Sequence, residues 1–62
     1  MYVLRRSSDS WFVSSADLNP TGGSYSPTLQ CAKVYPTRDA ARADACGNES
    51  VYSVAEILHA GY

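Results

Sequence analysis

Few side chains in this chain could do chemistry, and their spacing argues against a built reactive site. There is one histidine, His59, and there are two cysteines, Cys31 and Cys46. A nucleophilic triad needs its nucleophile, imidazole and carboxylate held together, and His59 sits near the C-terminal end. The carboxylates Asp9, Asp17, Asp39, Asp44, Glu49 and Glu56 are scattered singly. A domain of this size supports a pre-organised site poorly, so no catalytic residue is expected. Cys31, Cys46 and His59 would offer three metal ligands, but structural zinc sites use four, in short paired spacings. No metal and no cofactor are therefore expected. Gly22-Gly23 lacks the Lys-Ser/Thr ending and the strand-to-helix setting of a phosphate loop. For the Cys46 thiol, Arg42 and the C-terminal helix dipole act in opposite directions, so no special reactivity is assigned.

What remains is a surface. Strict alternation along extended segments can place Arg5, Phe12, Lys33 and Tyr35 on one face and Leu4, Val13 and Val34 on the other. Tyr25 is the one aromatic of a long connecting segment. Tyrosine, tryptophan and arginine are favoured at protein interfaces, and an exposed sheet edge also invites a partner strand or a second copy. An aromatic and basic face would equally suit stacking on single-stranded nucleic acid. The simpler account of each aromatic, Trp11 included, is that it fills the core. The net charge of −1 gives no field toward nucleic acid or an acidic membrane. A protein-binding module is the preferred reading, single-stranded nucleic-acid binding the alternative, and a homodimer a further form of the first.

The elements that must position these residues are short. Met1 to Arg5 is rich in strand formers, Arg6 to Ser10 is turn-like, and Trp11 to Ser14 reads as a second strand. So short a link implies an antiparallel hairpin. Residues 15 to 30 form a long loop, broken by Pro20, Gly22, Gly23 and Pro27. Ala32 to Tyr35 reads as a third strand that Pro36 ends. Thr37 fits a helix N-cap, Asp39 complements the helix dipole, and Gly47 fits a left-handed stop. The helix is expected over 38–46, roughly two and a half turns. Its apolar side (Ala40, Ala43, Gly47) is nearly all alanine, so the strands must supply the core. Val51 to about Ala55 is expected to be a strand, with 59–62 a tail.

This makes an α+β fold: one sheet of three or four strands, a hairpin followed by strand–helix–strand, and one short helix on one face with the other face open. If the strands flanking the helix are parallel, the crossover should be right-handed. With 62 residues there is one small domain of marginal core. A 45% hydrophobic content argues against disorder. No apolar run is long enough to span a membrane. The N-terminal stretch lacks the apolar core of a secretory signal. Small secreted domains usually carry more cysteines, so both thiols are expected free, as small buried groups, and the protein intracellular.

Gly22-Gly23-Ser24-Tyr25, the run from Ala32-Lys33-Val34-Tyr35 through Pro36-Thr37-Arg38-Asp39-Ala40-Ala41, and the closing Gly47-Asn48-Glu49-Ser50-Val51-Tyr52-Ser53-Val54 together resemble short bacteriophage- and prophage-encoded proteins. The resemblance covers most of the chain and carries no catalytic residues. It implies a protein made in the cytoplasm of a bacterial host, which binds and modulates one host protein.

Overall fold

In the computed structural model, which describes residues 1–15, 17–19 and 23–60, strand β1 (Tyr2–Arg6) sets the architecture. Val3 and Leu4 are adjacent in sequence, and both are 0% exposed. Neighbouring strand residues point to opposite faces, so β1 must be covered on both sides. A Ser7–Ser10 turn leads into β2 (Phe12–Val13). Ser10 takes a positive φ of 62° there, Arg6 N–H donates to the Trp11 carbonyl, and Ser10 N–H donates to the Arg6 carbonyl. The expected antiparallel hairpin forms, with Arg5 opposite Phe12.

The long loop contains more structure than its composition predicts. β3 (Tyr25–Ser26) pairs antiparallel with β2, Phe12 opposite Ser26 and Val13 opposite Tyr25. A 3₁₀ turn follows at Leu29–Cys31. Ser14, buried, donates its hydroxyl to the Cys31 carbonyl and ties the turn to the sheet. Gly22 and the tail residues Gly61 and Tyr62 lie outside the described residues.

The third strand expected at 32–35 is reduced to a single bridge. Lys33 N–H donates to the Val13 carbonyl, and Tyr35 exchanges both backbone bonds with Tyr2. The segment thus wedges into the fork where β2 parts from β1. Thr37 caps α1 (Arg38–Asp44) as expected, its hydroxyl accepting from Ala40 N–H. The helix ends two residues before the expected Cys46. Its C-cap is Ala45 in extended geometry, and Gly47 has no left-handed φ. At this end Ala45 N–H donates to the Arg42 carbonyl, Asp44 accepts from the Tyr35 hydroxyl, and the Glu49 carboxylate accepts from Cys46 N–H.

β4 (Glu49–Ser53) then pairs antiparallel with β1 along its whole length, Leu4 opposite Val51. The sheet order is β3-β2-β1-β4. The Tyr35 segment and β4 are both antiparallel to β1 and therefore parallel to each other, with β1 between them. The strand–helix–strand unit survives as a split crossover. The strand expected to run to Ala55 stops at Ser53, where α2 (Val54–His59) begins. Ser53 accepts from Glu56 N–H, the cap of a Ser-x-x-Glu start.

The second helix closes the face expected to be open. On one side Val3, Phe12, Ala32 and Ile57 of α2 form a cluster, with Leu29, Tyr52 and Val54 against it. On the other, Leu4, Tyr35 and Ala41 of α1 form a second cluster, with Tyr2, Val13 and Val51 around it. No helix among the described residues is long and apolar enough to cross a membrane.

Candidate functional site

Register decides where the expected surface residues fall. Phe12 pairs with Arg5, which shares the α2 face with Val3. Tyr35 pairs with Tyr2, which shares the α1 face with Leu4. The four residues expected on one exposed face are therefore split two and two, and both rings are buried. Arg5 lies 5.0 Å from the Phe12 ring centroid and donates from Nε to the Ser10 carbonyl at 2.9 Å. Lys33 lies 5.4 Å from the Tyr35 ring, and its Nζ is 3.5 Å from Asp44. Tyr35 is pushed well above its ordinary value, first by burial and then by donating to Asp44. Asp44 is lowered, first by that hydrogen bond and then by the Lys33 charge. These groups are occupied with each other, so they hold the fold rather than present a surface.

Tyr25 leads to a cluster that the sequence reading did not assemble. The Arg6 guanidinium stacks 3.9 Å from the Tyr25 ring centroid, with Trp11 at 6.0 Å. Arg6 also holds Asp9 through two bonds, Nε to Oδ1 at 3.0 Å and Nη2 to Oδ2 at 2.5 Å. That contact raises the Arg6 pKa and lowers that of Asp9. The Tyr25 hydroxyl donates to Glu49, and that bond, aided by burial, raises its pKa. The signal was local: an arginine three residues before an aspartate, across a hairpin turn. The cluster bolts β3 to β4 over the end of β1, with every charge partnered.

No pocket opens among the described residues, and no group of three or more metal-ligating side chains gathers there. Cys31 is half-buried and Cys46 exposed, both as free thiols; Cys46 thus departs from the buried role expected of it.

With both faces closed, the backbone edges remain. β3 is two residues long and followed at once by Pro27, a combination that blunts an edge. β4 is five residues long, and none of them is buried. Its outer side follows from the ladder. Tyr2 and Arg6 turn their backbone groups away from β4, toward Tyr35 and Trp11, so their partners Ser53 and Glu49 face outward. Val51, two residues from each, faces outward as well. Glu49 N–H is engaged by the Cys46 carbonyl, and the Ser53 carbonyl begins α2. The groups left are the Glu49 carbonyl, both Val51 groups and Ser53 N–H. Among the described residues they have no backbone partner.

α1 overlooks this edge. Ala41 points into the core and Asp44 reaches toward Tyr35, on the β2 side of β1. At about 100° per residue, Arg38 and Arg42 fall on the opposite flank, toward β4. Arg38 is engaged, 3.8 Å from Glu56 of α2 and 5.0 Å from the Tyr2 ring. Arg42 is exposed and has no ion pair among the described residues.

No protein-family model, curated protein or solved structure matches the chain. The resemblance to phage-encoded proteins therefore rests on its quoted residues alone.

Proposed function

We propose that this protein is a protein-binding module that works by strand addition at the outer edge of β4. The outward-facing backbone of Val51 and Ser53 carries this reading, because an extended segment can complete its hydrogen bonds. The closed faces and partnered aromatics favour an edge over a face. The single-stranded nucleic-acid alternative relied on Arg5, Phe12, Lys33 and Tyr35 forming one platform, and it has no comparable surface. A host protein in the bacterial cytoplasm is the partner class that the phage resemblance suggests, with modulation of that protein as the outcome.

The test replaces Val51 with proline. Its N–H points away from β1, so Val51→Pro removes an outward donor and leaves the internal ladder intact. The unaltered protein and the variant are immobilised, checked for equal folding by circular dichroism, and exposed to bacterial lysate. Capture of a defined protein by the first but not the second supports the reading. Equal capture by both, or by neither, contradicts it.

A further inference from the structure

Resting on that reading of the β4 edge, we infer that the added strand is an extended acidic segment whose carboxylates lie on the α1 face, against Arg42. A strand added to β4 lies about 4.8 Å beyond it, within reach of an arginine on the near flank of α1. Val51 pairs with Leu4 and shares its face, so the added residue opposite Val51 also points toward α1. Every second residue of the newcomer does the same. The cations there are unequal: Arg38 is already held by Glu56, while Arg42 is exposed without an ion pair among the described residues. Two of the carboxylates near the edge are engaged, while Asp39, one turn before Arg42 on α1, is exposed. Glu49 accepts from the Tyr25 hydroxyl and from Cys46 N–H, and Glu56 faces Arg38.

A second copy fits the backbone but not the charge. Pairing two β4 strands about Val51 would satisfy the outward groups by symmetry. It would also bring the flank carrying Arg38 and Arg42 against its own copy, with like charges side by side. Like charges placed in this way disfavour a partner. An acidic strand turns the same arginine into an attraction.

The probe is a fluorescein-labelled, N-acetylated peptide of alternating glutamate and valine, seven residues long (about 23 Å when extended). Its counterpart has lysine in place of glutamate. Binding is followed by fluorescence anisotropy at low salt, and Val51 and Ser53 amide protection by hydrogen exchange. The acidic peptide should bind and protect both amides. Arg42→Glu, an exposed change, should weaken it by about tenfold and favour the lysine peptide instead. Val51→Pro should abolish both effects. If both peptides bind alike and Val51→Pro abolishes them, the edge reading stands and the acidic preference is overturned. If sedimentation shows a dimer that Val51→Pro dissociates, the occupant is a second copy and this inference fails. If neither peptide protects Val51, the inference fails, and capture from lysate then decides the edge reading separately.

Discussion

The two faces of the sheet are closed by different means. On the α2 face, Ile57, Val3 and Phe12 are almost wholly removed from water, and large apolar side chains do the holding. On the α1 face the helix offers only Ala41 as a buried residue. There Tyr35 makes up the volume, and its hydroxyl is tied to Asp44 and through it to Lys33. A small helix can lie close to a sheet, but it leaves a polar end to satisfy. One face should therefore fail by cavity formation, and the other through hydrogen bonds and pH.

The largest effect should come from Phe12→Ala. Deleting a fully buried phenylalanine costs about 3–5 kcal/mol, a large share of the stability of a domain this small. Urea denaturation should show the chain mostly unfolded without denaturant, and Ile57→Ala should follow closely. Tyr35→Phe should cost less, about 1 kcal/mol for one hydrogen bond, with the ring kept in place.

The pH dependence separates the faces further. The folded-state pKa of Asp44 lies below its ordinary 3.8. Its contribution is therefore present above 3.8 and lost as pH falls through the lower folded value. The Tyr35 hydroxyl lies above its ordinary 10.0, so its contribution is complete below pH 10 and lost at higher pH. Tyr35→Phe should flatten both limbs of a stability-against-pH curve. Ile57→Ala should lower the curve without reshaping it.

Much of this was legible in the residues. Thr37 followed by Arg38 and Asp39 announces a helix start through chemistry that is local. So do the strand formers of β1 and the short link to β2. What the chain could not announce is register. Alternation puts Arg5 with Val3, but only pairing shows that Phe12 stands opposite Arg5 and Tyr35 opposite Tyr2, on different faces. The start of α2 lay in plain view as Ser53 and Glu56, masked by the strand propensity of Val51-Tyr52-Ser53-Val54. The end of α1 falls short of Gly47 because a glycine can serve as a stop without being needed as one.

Smaller changes sharpen the comparison at the helix ends. Thr37→Ala and Ser53→Ala should each cost about 1 kcal/mol, read as a lower urea midpoint, with the loss centred on α1 and α2 respectively. Gly47→Ala should be the mildest. Gly47 has no left-handed φ, and an added Cβ would meet nothing within 4 Å. The unfolding free energy should stay within about 0.5 kcal/mol or rise slightly, as the unfolded chain loses freedom. A clear loss would restore the left-handed stop.

The most direct test is amide hydrogen exchange, resolved by residue, on the isolated protein. Tyr52 N–H faces β1 while Val51 N–H faces outward, so adjacent residues on one strand should differ sharply: Tyr52 protected close to the level of global unfolding, Val51 exchanging orders of magnitude faster. Comparable protection at Val51 and Tyr52 would mean that the edge is already covered, and would contradict the account.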